Sequence, residues 1–500
     1  MANRLAEFRA LRDRGALCTE VTEQLASEAA SEFLSQHREH GGYLRDAITL
    51  LTEIATLEEP CLSQPGTRAT FPFLVERLSD SFDPKYCDLY DRVFAQMITE
   101  CRRLPAAADL DAVLREFGLA SESALLDRKA RLQRQPAMLD AKQRERVGKV
   151  LVLSRVTLGA DVAITSVVLE KARQAFPGAE RVLLGGAKLC ELFGGDASLR
   201  IREARYETGG GLLDRLRNWP PLVESIDDEI GRLGPEEMVL VDPDSRLLQL
   251  GMLPALRDET RYFFFESRRH GHGTSRSLSE LTMRWLNEQF GDGQPVLPNL
   301  NLRASDRSFA REVCGKLRRE GSRRLIAVSF GVGGNSGKRL ADPFEQELLR
   351  ELLQDGCTVL LDKGAGRQEV ERADRLADQI RAFGKVVELD PEGASAPVQE
   401  LSRCLLLTWR GGIGVFSALT AESDEYIGYD SAGQHIAAAL NVPTISIFSR
   451  VAPEIFRSRW RTTGKGVSKQ VSELDADGAV RPRAAVVAEV MQLHRNILCR

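Results

Sequence analysis

Apolar residues recur at three- and four-residue spacing through 20–34, 43–57, 86–103 and 110–117, the pattern of helices with one buried face. Pro60, the Pro65-Gly66 pair, Pro84 and Pro105 fall between these runs and are expected to separate one helix from the next. The spacing therefore predicts an almost wholly helical region over 1–146. Its charge-dense end, 128–146, is expected to be a helix or linker with a solvated face. No heptad or fixed repeat is sustained, and His37 and His40 have no carboxylate or thiol at ligand spacing.

At Gly148 the period changes. Residues 149–154 form a short apolar run, 155–161 a polar turn containing Gly159, and 162–176 a helical pattern closed by Pro177-Gly178; 180–184 is the next strand. This strand–turn–helix–strand order is the unit of a parallel, doubly wound sheet. Further strands are expected at 199–202, 237–241 and 261–265, with helices at 212–216, 221–233 and 278–290. After an extended, proline-containing linker at 295–300, the same texture resumes. Strands are expected at 324–330, 358–362 and 386–389, and helices at 343–354, 364–381, 398–404, 414–421 and 484–498. Residues 426–449 read as a polar turn, a short apolar helix and a buried strand. The fold class is α/β: two Rossmann-like units after an all-α region. Open sheets bind ligands beyond the carboxyl ends of their strands, so the cleft between the units is the expected site.

Composition narrows the partners. A net charge of -4 over 500 residues gives no global attraction to nucleic acid or an anionic membrane, so any anion site must be local. The N-terminus is charged from the outset, and no apolar run approaches the ~18 residues that span a bilayer. The nine cysteines are scattered and never spaced Cys-x-x-Cys, which suits reduced thiols and a cytoplasmic protein better than disulfides or a zinc site.

Four stretches carry candidate chemistry. In the first, Asp430, Ser431, Gly433 and His435 crowd a predicted helix start, where free amides and the helix dipole favour a phosphate. In the second, Gly331, Gly333 and Gly337 follow a strand and lead to Lys338 and Arg339. Backbone amides and two cations can cradle an anion there, although the Walker pattern is absent. The same glycines, with Asp362 ending the next strand, also fit a dinucleotide site. Third, Asp161 lies beside the first strand-to-helix turn, as a general base or as a helix N-cap. Fourth, Arg268, Arg269, His270, His272 and Arg276 form a basic loop without nearby acids. That loop either closes over an anionic substrate or is a solvated interdomain connection. Asp242-Pro-Asp244 reads as a turn rather than a metal motif.

Together the two α/β halves resemble the heptosyltransferase-like (family 9) glycosyltransferases over about 148–470. That family's late Asp-(Ser/Thr)-Gly-x-x-His motif, with Ala-Ala-Leu and x-Pro after it, is similar to Asp430-Ser-Ala-Gly-Gln-His435, Ala437–Leu440 and Pro443. Its strand–Gly-Asp-Val–helix is similar to 150–162, with Ala160 inserted between Gly159 and Asp161. Its Gly-x-x-x-Lys-Arg loop is similar to 331–339, and its Glu-containing segment to 364–373.

The resemblance implies a GT-B fold divided into a helical accessory domain (1–146), an acceptor domain (147–298), a nucleotide-sugar domain (299–478) and a C-terminal helix (479–500) returning to the first Rossmann-like unit. It implies a metal-independent, inverting glycosyltransferase that moves heptose or a hexose-like sugar from a nucleotide-diphosphate donor, an ADP-sugar among the candidates, to a hydroxyl. No cofactor beyond that donor is expected. Asp161 is the implied base, and Lys338 and Arg339 stabilise the leaving diphosphate. Glu369 bonds a ribose hydroxyl, while Gly331, Gly333, Asp430, Ser431, Ala432, Gly433 and His435 hold the donor. Arg268 and Arg269 are expected to meet a glycan, lipid-linked or protein acceptor. The expected setting is the cytoplasm or the inner-membrane surface, with the helical region available for self-assembly. Two alternatives stand: a GT-B-like binder without catalysis, for which the Ala160 insertion speaks, and an NAD(P)-dependent oxidoreductase.

Overall fold

The computed structural model describes residues 1–134, 138–206, 210–389 and 401–498. Two all-parallel sheets form the frame. The first comprises β1 (Lys149–Leu153), β2 (Glu180–Gly185), β3 (Leu199–Glu203), β4 (Met238–Asp242) and β5 (Tyr262–Phe264), in the order β3-β2-β1-β4-β5. The second comprises β6 (Leu325–Ser329), β7 (Thr358–Asp362), β8 (Lys385–Leu389), β9 (Cys404–Trp409), β10 (Glu425–Tyr429), β11 (Thr444–Phe448) and β12 (Ser468–Ser472), in the order β12-β11-β10-β6-β7-β9-β8. The order reverses between β1 and β4 in one sheet and between β6 and β10 in the other. Connections leave in opposite directions at these points and open a crevice at the strand ends.

The N-terminal helices include Thr19–His40, Arg45–Ala55, Pro84–Cys101 and Glu122–Leu132. They cover a sheet face as well as packing on one another. Successive residues of a strand point to opposite faces. Thus Leu151, Leu153, Val182, Leu184, Leu240 and Phe264 enter one core with Phe33, Leu51 and Phe94 of the helical region. Their neighbours Val150, Val152, Leu183, Val241 and Phe263 face a second core, containing Trp285 and Phe290 and running on to Tyr426, Ile436 and Phe448 of the other sheet. Burial on both faces explains the unbroken apolar runs of these strands.

Several expectations change. Arg128 and Lys129, expected on a solvated face, are buried: Arg128 pairs with Glu259 and donates to the Gly251 carbonyl at 2.8 Å. Lys129 donates to the Leu250 carbonyl at 2.6 Å and pairs with Glu266 at 3.2 Å. Both cations hold the helical region to the loops beyond β4 and β5. Pro65-Gly66 lies inside the helix Pro60–Arg68, where Gly66 lets the helix close on the backbone of Ala55; a π-helical segment, Ala69–Val75, continues it past Pro72. The run expected as helix 398–404 ends in β9 (398–400 lie outside the described residues), and β10 and β12 were not anticipated. β10 is short and fully buried, with no polar phase to distinguish it from helix, whereas β12 is a polar edge strand with Val471 as its one buried residue.

The C-terminal helix Arg483–Leu498 packs on the second sheet rather than returning to the first. Val486, Val490 and Met491 join the core of Ile326, Val328 and Phe344, and His494 bonds Glu425 at the start of β10. Among the described residues, no helix is long and apolar enough to cross a membrane.

Candidate active site

The glycine loop and the late motif meet at the reversal point of the second sheet. Lys338 leaves the loop after β6 and donates to Asp430 Oδ2, just past β10, at 2.7 Å. Gln434 donates to the other Asp430 oxygen at 2.6 Å. The helix Ala432–Ala439 begins there, with Ser431 and Ala432 partly exposed. Gly433 has a packing role: a side chain there would strike the buried Tyr426 hydroxyl. His435 is buried against Trp460, with ring centroids 5.8 Å apart. Burial pushes its pKa down to about 4 despite the nearby Asp430 carboxylate, so the imidazole is neutral at pH 7.

Beside this pair a cleft of about 610 Å³ opens between the loop after β6 and the segment after β7. Gly331, Gly333, Arg339, Asp362 and Glu369 line it, with Phe330, Leu361 and Leu376 as apolar wall. Glu369 braces the two loops. Its Oε1 accepts the amides of Val332 and Gly333 at 2.9 and 3.0 Å, and its Oε2 those of Ala365 and Gly366 at 3.2 and 3.3 Å. Four donors fill the acceptor positions of a carboxylate, so a ribose hydroxyl must displace one of them. Arg339 is held by Glu345 at 3.1 Å and keeps about a quarter of its side chain exposed to the cleft.

The first sheet changes the standing of Asp161. The helix starts at Leu158, with Thr157 as N-cap, and a π turn over Asp161–Thr165 absorbs one extra residue. Asp161 is therefore neither the N-cap nor at the cleft surface. It is 1% exposed and accepts from Ser154 Oγ (2.8 Å), the Arg155 amide (2.7 Å) and Thr165 Oγ1 (2.8 Å). Burial outweighs these bonds and raises its pKa to about 6. In this geometry Asp161 fixes the loop after β1.

The basic loop is equally committed. Arg268 is buried, with Nε and Nη2 on Asp244 at 3.0 and 3.1 Å and the guanidinium over the Tyr90 ring. Arg269 bonds Glu266 and Asp88 at 3.0 and 2.7 Å. Asp244 and Asp88 come from distant sequence and Glu266 from three residues away; Arg268 is enclosed, whereas Arg269 keeps about a quarter of its side chain exposed. Asp244 is no surface turn: burial opposes its charge, but Arg268, Arg155 and Lys129 hold its pKa down at about 2.

Three charged residues escaped the sequence reading. Arg246 follows β4 at the reversal point of the first sheet and is half-buried; among the described residues its side chain forms no hydrogen bond or ion pair. Glu76 and Asp80 lie one helical turn apart at the end of the helix Glu76–Ser79 and share the field of Arg246 and Lys338; Asp80 also feels Asp430. Nothing in their local sequence marks them, because a charged pair four apart normally reads as a solvated helix face.

Residues 250–476 match the family profile described as glycosyltransferase family 9 (heptosyltransferase). The crystal structure of the glycosyl transferase family 9 protein from Veillonella parvula superposes with a TM-score of 0.51 at 14% identity, over 70% of this chain and 97% of that one. Escherichia coli ADP-heptose LPS heptosyltransferase II gives 0.45 at 15% identity over 69% and 98% of the two chains. E. coli heptosyltransferase WaaC with ADP gives 0.43 at 17% over 69% and 99%. No curated protein sequence matches.

Proposed function

We propose that this chain, which carries a glycosyltransferase family 9 (heptosyltransferase) domain, transfers a sugar from a nucleoside-diphosphate donor to a hydroxyl acceptor with inversion at the anomeric carbon. The observation that carries this reading is the Lys338–Asp430 pair at the reversal point of the second sheet, beside the cleft of about 610 Å³. The cleft takes the nucleoside between apolar wall and glycine loop. The diphosphate lies toward Lys338, Arg339 and the open amides at Ser431 and Ala432. As the glycosidic C–O bond breaks, negative charge grows on the departing diphosphate, and a cation already fixed there stabilises the transition state more than the ground state. Heptose is the sugar favoured by the family description, and ADP-heptose is the first donor to try.

A second reading, nucleotide-sugar binding without transfer, is favoured by the enclosure of Asp161. A thermal-shift panel of ADP-, GDP- and UDP-sugars and NAD(P), followed by nucleoside-diphosphate release from the best binder, separates the readings. Saturation at 100 times the dissociation constant stabilises the fold by about 2.7 kcal/mol. Turnover of a nucleotide-sugar supports transfer, and binding without turnover supports the second reading. Stabilisation by NAD(P) alone overturns both.

A further inference from the structure

We propose that Asp355, Cys357 and His494 bind a zinc ion that fastens the C-terminal helix to the second sheet, at the end of that sheet opposite the cleft.

The three residues reach one point from two distant parts of the chain. Asp355 and Cys357 lead into β7, and His494 stands in the helix Arg483–Leu498, 137 positions after Cys357. Among the described residues they are the one group of three metal-ligating side chains whose ligand atoms all lie within 4.8 Å of one another. Cys357 and His494 are buried, while Asp355 keeps about a quarter of its side chain exposed and leaves a path for the ion. No Cys-x-x-Cys spacing marks the site, because its ligands are gathered by the docking of a helix rather than by a turn.

The spacings are those of co-ligands. His494 Nε2 lies 3.5 Å from Cys357 Sγ and 3.4 Å from Asp355 Oδ2. One ring nitrogen serves one hydrogen bond well, and its separation from Asp355 is beyond the roughly 2.7–3.2 Å of a good N–H···O bond. Zinc bonds of about 2.0–2.1 Å to nitrogen, about 2.0–2.2 Å to oxygen and about 2.3 Å to sulfur, set at the tetrahedral angle, place nitrogen about 3.5 Å from sulfur and about 3.4 Å from oxygen.

The other side of the ring is arranged to match. Nδ1 faces Glu425 Oε2 at 2.5 Å, so Nδ1 carries the proton and Nε2 presents its lone pair to the ion. A carboxylate on the far nitrogen fixes the tautomer of a metal-bound histidine and raises its basicity. Asp355 is steadied in the same way. Its Oδ1 accepts from Arg495 Nε at 3.3 Å, which leaves Oδ2 for the ion, with Arg324 Nη1 3.7 Å away.

Charge and ligand type select the ion. Filling the site releases the Cys357 thiol proton, and the thiolate and the Asp355 carboxylate then balance the two charges of zinc beside a neutral imidazole. A water entering from the Asp355 side completes four ligands. Magnesium and calcium prefer oxygen ligands at higher coordination and do not fit this set. Cys357 directly precedes β7 and Glu425 begins β10, so the site lies at the amino ends of the strands, whereas the cleft opens at their carboxyl ends. The ion is a clip for the helix and takes no part at the cleft.

The test uses the full chain, stripped of metal with a chelator and then titrated with zinc or with cobalt(II). The expected result is about one zinc per chain, a higher melting temperature with zinc than with chelator, and a thiolate-to-cobalt charge-transfer band in the near ultraviolet. Cys357→Ala and Asp355→Asn should each weaken zinc binding at least about 100-fold, and Glu425→Gln, which reaches the ion only through the histidine, by about 10–100-fold. Cys314→Ala removes a buried thiol from another core and should bind zinc as wild type does. Cobalt binding without the thiolate band, or unchanged zinc affinity in a folded Cys357→Ala, overturns the assignment. So does a wild-type chain whose melting temperature is the same with zinc and with chelator. The wild-type cobalt spectrum decides the matter even where Cys357→Ala does not fold.

Discussion

Gly159 and Ala432 touch across the two sheets. A methyl group on Gly159 would lie 3.2 Å from Ala432 Cα and 3.4 Å from His435 Cδ2. The helix start of the first unit thus rests directly on the late-motif helix of the second, with no room for a side chain between them. A displacement of about 1 Å at a reacting centre can cost 10²-fold in rate. Gly159→Val is expected to lower turnover at least about tenfold while leaving nucleotide affinity near wild type, because the cleft proposed for the nucleotide is lined by the second unit alone. Calorimetry with ADP beside a turnover assay checks this; equal losses in both would contradict it.

Lys338 faces Asp430 at 2.7 Å and is the cation nearest the proposed diphosphate position. Lys338→Met should reduce kcat by about 10²–10³-fold. Gln434 still donates to Asp430, so the fold is expected to survive; circular dichroism establishes that before kinetics are compared.

His435 gives a pH signature with a definite sign. Burial holds its folded pKa near 4, against about 6.5 in an unfolded chain. Between these values the unfolded state binds the extra proton, so this residue makes stability fall as pH drops from 6.5 to 4. The slope is up to about 1.4 kcal/mol per pH unit. Urea unfolding at several pH values should show a shallower acid-side decline for His435→Gln than for wild type. Parallel curves would remove the assignment.

His494 of the C-terminal helix is fully buried, 2.5 Å from Glu425 Oε2 and 3.4 Å from Asp355 Oδ2. His494→Ala leaves Glu425 buried without its partner and should cost about 3–5 kcal/mol, whereas removing both partners together should cost less. The urea midpoints of the single variant and of His494→Leu/Glu425→Leu decide this, and a single-variant cost below about 1 kcal/mol would count against the pairing.

Much of the frame was legible along the chain. Short apolar runs alternating with helical patterns marked both sheets, and the glycine loop and late motif stood out because turns beside strands restrict residue choice. Lys338 and Asp430, which meet across 92 positions of sequence, could be named as candidates from such local signals. Arg268 and Arg269 misled for the complementary reason: Asp244 and Asp88, which hold them alongside the neighbouring Glu266, are brought there only by folding. Glu369 was picked out as a ribose ligand because its segment resembles the family's, but its four amide donors come from two loops over thirty residues apart in sequence.

The sequence by itself determined two parallel α/β units and a helical N-terminal region, and marked 331–339 and 430–435 as candidate anion-binding turns, since periodicity and turn chemistry act over a few residues. Tertiary structure alone decided that the helical region forms a layer of the first sheet, that the C-terminal helix belongs to the second, and that Asp161 is enclosed while Lys338 meets Asp430. Burial and electrostatic field are set by whatever packs alongside, and those neighbours lie far away along the chain.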